Sequence, residues 1–282
     1  MNLIQYKDKK SYPYFILVLI LFLYQIIGST FFYILFGEKI ENRIYEMITL
    51  MFSQFIFILL PILFFSTFET NDLKNFFRLN FKIKFSQIIF SLIGLFSLSQ
   101  ILGIFISFQD TIPLPEWLSN FRSMMENKSK NITTANSIGE LFFVIFVIAI
   151  TPAICEEIFF RGFIQRKFEK IYTSTFAYVL SGTIFGIYHF NPFHIIGLIG
   201  LGIYFGFLVY HSNSIFLSMI AHFLNNTFAV ILLYFGIDES SIMSIGNIFS
   251  IETFFYLLIY SLVFVFSIFY FLKFTAKKNI YE

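Results

Sequence analysis

Along this chain, uncharged apolar stretches alternate with short polar connections, and the apolar stretches have the length of membrane-crossing helices. A helix needs about 20 mostly apolar residues to cross the hydrocarbon core. Eight segments meet or approach that length: Tyr12–Phe36, Met47–Phe68, Phe85–Phe108, Leu141–Gln165, Thr175–Phe190, Phe193–Tyr210, Ser214–Phe235 and Thr253–Phe274. The fifth and sixth are short or closely joined. The longest polar stretch, Gln109 to Glu140, connects the third and fourth segments and contains Pro113, Pro115 and the single tryptophan, Trp117. No internal repeat or low-complexity tract divides the chain. The pattern predicts an all-α polytopic bundle of about eight transmembrane helices, residues 1–282 forming one membrane-embedded domain.

Composition strengthens that picture. Of 282 residues, 57% are hydrophobic, 13% are charged and 45 are Phe. Soluble domains average about 25% charged residues. A net charge of +2, with no basic-aromatic patch, argues against a nucleic-acid partner. The first apolar run exceeds the 7–15 residues of a signal-peptide core, so it reads as a retained span. The terminal Asn279-Ile280-Tyr281-Glu282 is not a prenylation box. A single cysteine, Cys155, excludes an intrachain disulfide and reads as a small buried side chain.

The basic residues predict an orientation. Eight spans place both termini on one side of the membrane, and Lys and Arg divide fourteen to five in favour of that side. The larger group includes Lys7, Lys9, Lys10, Arg78, Lys167 and Lys277; the smaller comprises Lys39, Arg43, Arg122, Lys128 and Lys130. The positive-inside rule then puts both termini in the cytoplasm. The loop Gly236–Glu252, with Asp238, Glu239 and no Lys or Arg, fits the outer side.

Chemistry enters where polar side chains interrupt apolar helices. Glu156 and Glu157 end a charge-free run from Leu141 to Cys155. An ionisable group at membrane depth costs at least a few kcal/mol and is a functional-site candidate by default. Helical spacing lets Glu157 pair with Arg161 and leaves Glu156 about 100° round the helix without a local partner. An unpaired carboxylate in low dielectric tends towards the protonation behaviour of a general base. His189 closes the fifth segment. His222 and Asn226, four apart, share a face of the seventh, while Asn225 points elsewhere and suits helix packing. His194 and His211 flank short loops. At about 1.5 Å per residue, Asn226 lies ~18 Å from Ser214, His189 ~21 Å from Thr175, and Glu156 ~13 Å from Gln165. That match in depth requires the fourth helix to continue past Arg161. Converging in one cavity, Glu156, His189, His222 and Asn226 would supply a base, a water-orienting imidazole and two oxyanion donors, a set suited to peptide hydrolysis.

Glu-Glu-x-x-x-Arg (156–161), Phe-x-x-x-His (185–189) and His-x-x-x-Asn (222–226), in this order on successive apolar segments, resemble the three motifs of the CPBP family. These are the CAAX proteases and bacteriocin-processing or immunity proteins, also called Abi, and they include the type II CAAX prenyl endopeptidases. The resemblance covers roughly residues 140–235, the expected catalytic core. It implies an eight-helix intramembrane endopeptidase acting on a membrane-associated or lipidated peptide or protein. Glu156 and His189 would activate water, and His222 and Asn226 would stabilise the oxyanion. Glu157, Arg161 and Phe185 would support them. A metal-free glutamate mechanism is favoured, because the His-Glu-x-x-His helix of zincins is absent. The alternative is zinc held by Glu156, His189 and His222. A non-catalytic immunity or scaffold protein of the same fold is the rival from another class, and an ion-coupled transporter is a third reading. The Phe-, Ile-, Asn- and Lys-rich composition points to a bacterial cytoplasmic membrane.

Overall fold

The computed structural model describes residues 9–237 and 249–276. Lys7, Asp238, Glu239, Lys277, Lys278 and the terminal Asn279–Glu282, used above to argue sidedness and anchoring, lie outside the described residues. Nine long helices organise the described part, with a four-residue helix at Leu73–Phe76 and no strand among the described residues. The nine are α1 Tyr12–Lys39, α2 Arg43–Thr67 and α3 Phe85–Asp110; α4 Glu116–Thr133; α5 Ile138–Phe168; α6 Ser174–Tyr188; and α7 Ile195–Ser212, α8 Ile215–Tyr234 and α9 Ile251–Thr275. Among the described residues, seven are long and apolar enough to cross a membrane, and α6, with 15 residues, is a shorter apolar helix. The protein is an integral multi-pass helical bundle.

The helix ends differ from the hydropathy reading where charges are paired. Helix α2 begins at Arg43 rather than Met47, with the Asn42 side chain accepting from the Ile44 N–H at 3.0 Å. Arg43 bonds Glu140, and Glu46 meets Lys128 at 3.1 Å. Ion pairing of this kind lets a helix continue into the polar interface. Helix α5 starts at Ile138, capped by Ser137, and runs to Phe168 rather than stopping at Gln165. The polar 109–140 stretch, read as a connection, contains α4. Its charges pair locally, Arg122 with Glu126 at 2.6 Å and with Asp110 at 2.5 Å, and it buries no residue. A window tuned to long apolar runs does not register such a helix.

Two layers of ion pairs mark opposite ends of the bundle. At one end lie Arg43–Glu140 and Glu46–Lys128. At the other, Lys167 meets Glu69 at 2.8 Å and Arg78 meets Glu169. The apolar core between them is built from α1, α2, α5 and α6 on one side, around Ile16, Ile58, Phe160 and Phe163. On the other it is built from α3, α7, α8 and α9, around Leu95, Phe205, Leu217 and Phe271.

Helices α6 and α7 approach through glycine. A Cβ on Gly182 would sit 2.3 Å from the Ile203 backbone nitrogen, and one on Gly202 would sit 2.5 Å from the Gly182 carbonyl oxygen. Backbone atoms cannot move aside as a flexible side-chain end can. Small residues permit this contact within a bilayer. Gly182→Ala is therefore expected to destabilise the bundle by about 1–3 kcal/mol, as overpacking does, read as a lowered unfolding midpoint in detergent micelles.

Candidate active site

The site lies where α5, α6 and α8 meet, with α2 behind it. In α5 the sequence supplies Pro152, which has no N–H to give to the carbonyl four residues back. The helix answers with a wider turn over Phe146–Ile150, in which the Thr151 N–H reaches the Phe146 carbonyl. The Ile148 carbonyl, deprived of the proline donor, accepts from Asn226 Nδ2 at 3.0 Å. A second wide-turn stretch, Ile158–Gln165, follows the two glutamates. Wide turns of this type recur at functional sites, because they re-aim side chains without ending the helix.

Glu157 and Arg161 are completely buried, which requires α5 to continue past Arg161 as the depth match demanded. Glu157 Oε1 accepts from Arg161 Nη1 at 2.7 Å and from His222 Nδ1 at 2.9 Å. Arg161 Nη2 donates to the Gly202 carbonyl at 2.9 Å, and its guanidinium lies 4.3 Å from the centre of the Phe185 ring. The His222 ring stacks on Phe205 with centroids 5.2 Å apart. A buried charge is tolerable when it is paired and hydrogen-bonded; this cluster pairs one carboxylate with one guanidinium and one imidazole and adds a backbone carbonyl, leaving Glu157 Oε2 and Arg161 Nε without a hydrogen-bond partner.

Glu156, 4% exposed, faces away from that cluster. Its Oε1 accepts from Gln54 Nε2 of α2 at 3.3 Å. Its Oε2 is buried without a hydrogen-bond partner and lies 4.0 Å from His189 Nε2. His189 caps the C-terminus of α6, and Phe190 adopts a positive φ of 48°. Pro192 follows shortly after, a common way for a helix to stop. His189 Nδ1 lies 2.8 Å from the Phe185 carbonyl. A carbonyl only accepts, so Nδ1 carries a hydrogen, and Nε2 is the ring atom turned towards Glu156. Phe185 thus acts twice, its carbonyl orienting His189 and its ring covering Arg161.

The structure brings Glu156 to His189 and Glu157 to both Arg161 and His222. It does not hydrogen-bond Asn226 to the other three candidate residues. Asn226 instead bonds Ile148 and accepts from Asn225 Nδ2 at 3.3 Å, while Asn225 also accepts from Ser99 on α3 at 3.4 Å. Asn226 therefore keeps one amide hydrogen beyond that given to Ile148. Cys155 is a buried free cysteine. His211 and His194 lie at the two ends of α7, half-buried. The sequence reading missed Gln54, whose only sequence signal is a polar residue inside an apolar run. A zinc ion needs three or four ligands at about 2.0–2.3 Å. Among the described residues, no three His, Cys, Asp or Glu side chains gather that closely, so Glu156, His189 and His222 do not form such a set in this conformation.

Comparisons with known proteins agree with this core. Residues 138–228 match the family model described as Type II CAAX prenyl endopeptidase Rce1-like. The chain is also similar to YdiL of Bacillus subtilis (strain 168), which carries a provisional membrane-peptidase name. The two are 37% identical over 92 residues, or 32% of this chain and 36% of that protein. The match therefore spans about a third of the curated relative's length. No solved structure matches the chain. Residues 138–228, the segment that carries the three motifs and the buried glutamates, are thus similar to CAAX proteases of the CPBP family.

Proposed function

We propose that the protein is an intramembrane endopeptidase that hydrolyses a peptide bond of a membrane-associated or lipidated substrate, with Glu156 as the general base. The observation that carries the reading is Glu156 Oε2, without a hydrogen-bond partner and 4.0 Å from His189 Nε2. Groups so spaced can share a water about 2.8 Å from each atom, an ordinary hydrogen-bond length, once the buried Oε2 is opened to it. His189 is the more exposed of the two, with 29% of its side chain accessible against 5% for Glu156, so a carbonyl carbon can approach from that side.

In the reaction, the water oxygen bonds to the scissile carbonyl carbon while its proton passes to the Glu156 carboxylate. The carbonyl π electrons move onto oxygen, and Asn226 can donate to that oxyanion with its remaining amide hydrogen. His222 donates from Nε2 only when its ring is cationic, because the Nδ1 hydrogen is held by Glu157. Collapse of the intermediate breaks the C–N bond, and the proton held by Glu156 goes to the leaving amine. Glu157 and Arg161 hold His222 rather than touching substrate.

The test is cleavage of a prenylated fluorogenic peptide by the protein reconstituted in vesicles, compared with Glu156→Gln. Turnover by the wild type and its loss in the variant support the reading; equal turnover in both would overturn it. The same reading places both termini in the cytoplasm of a bacterial cell. A cysteine introduced at Asn127 of α4 should then react with an impermeant maleimide in intact cells. One at Lys82 should react only after permeabilisation, and the reverse pattern would invert the orientation.

A further inference from the structure

Gln54 lies on α2, outside residues 138–228, yet it makes the hydrogen bond that Glu156 receives from another helix. We propose that Gln54 is a positioning residue for Glu156. By donating to Oε1 it fixes the rotation of the carboxyl group so that Oε2 faces His189. This inference rests on Glu156 being the base.

The sequence explains how a glutamine so far along the chain comes to point inwards. Pro61 withdraws an N–H from α2 as Pro152 does from α5, and α2 responds with a wide turn over Gln54–Leu59, in which the Leu60 N–H reaches the Phe55 carbonyl. Gln54 opens that turn and is 8% exposed. A polar side chain facing acyl chains would be poorly placed, whereas here Nε2 meets a carboxylate. Two further features indicate a built polar pocket rather than incidental contact. Tyr24 from α1, also in a wide turn, Leu23–Gly28, packs its ring 5.7 Å from that of Tyr188. The Tyr24 hydroxyl interacts with both the Tyr188 hydroxyl and Gln54, which leaves Glu156 Oε2 as the open acceptor beside them. Buried polar atoms in native proteins are nearly always partnered, so an open carboxylate oxygen within this polar pocket suits contact with water and substrate. The charged and titratable groups around Glu156 are His189 on α6, Tyr24 on α1, Tyr188 on α6, and Cys155, Glu157 and Arg161 on its own helix. Among these neighbours Gln54 is uncharged, so it can orient the carboxylate without neutralising it.

The experiment uses the full chain in vesicles, with two variants. Gln54→Met keeps length and packing volume but has no donor, and Gln54→Glu keeps the shape but places a second carboxylate against the first. Both are expected to fold, Gln54→Met with the wild-type unfolding midpoint and Gln54→Glu with a lowered one because it buries a second carboxylate, and to lower kcat on the prenylated reporter about 10–100-fold with KM unchanged. Such a loss matches removal of a hydrogen bond to a charged group. A second readout needs no turnover. The Glu156 carboxyl band, isolated as the infrared difference between wild type and Glu156→Gln, should shift in Gln54→Met. Folded variants with wild-type kcat, or an unmoved band, would overturn the assignment. If the wild type cleaves no reporter while the band still shifts, Gln54 remains the positioning residue and the peptidase reading is the part that falls.

Discussion

Glu156→Gln, folded and reconstituted beside the wild type, is expected to lose turnover by about 10²–10⁴-fold, the range typical of removing a positioned general base. Glutamine occupies the same volume, and its amide oxygen can still accept from Gln54 Nε2, now at 3.3 Å from Oε1, so stability should hold. What glutamine cannot do is take a proton from water. The loss should fall on kcat, because nothing in the geometry makes Glu156 a substrate anchor. The measurement is initial rate against reporter concentration, with the unfolding midpoint recorded for both proteins. Glu156→Asp retains a carboxylate but withdraws it by one methylene from His189, and should fall between the two.

Arg161→Met is expected to destabilise the bundle by about 3–5 kcal/mol, since removing one partner of a buried pair strands the other charge. Arg161 and Glu157 are both fully buried. Loss of the guanidinium leaves the Glu157 carboxylate with His222 and Ser218 and the Gly202 carbonyl without its donor. The double variant Arg161→Met/Glu157→Gln removes both charges and should be less destabilised than Arg161→Met alone, a non-additivity characteristic of groups in one network. Unfolding midpoints of the single and double variants in the same detergent decide it. A loss in the double variant equal to the sum of the losses in Arg161→Met and Glu157→Gln would show that the two side chains do not depend on one another.

Much of the architecture was legible in the sequence because a bilayer imposes a simple rule. Each crossing segment must be helical and apolar over a fixed length, so Phe85–Phe108 and Ser214–Phe235 could be placed to within a few residues of α3 and α8. Helix α4 was not legible, because Glu116–Thr133 is stabilised by pairs such as Arg122–Glu126 rather than by hydropathy. The early start of α2 was hidden for a similar reason. It depends on Arg43 finding Glu140, 97 residues away.

The site divides along the same boundary. Helical periodicity alone paired Glu157 with Arg161 and separated Glu156 from both, because residues four apart on one helix must be neighbours. It also put His222 and Asn226 on one face. Periodicity says nothing about which helices touch. That His222 grips Glu157, that Asn226 completes the Ile148 carbonyl left open by Pro152, and that Gln54 reaches Glu156 from 102 positions earlier were settled only by packing. Local spacing is fixed by covalent geometry, whereas contacts between helices depend on which faces close against each other, and no single segment carries that information.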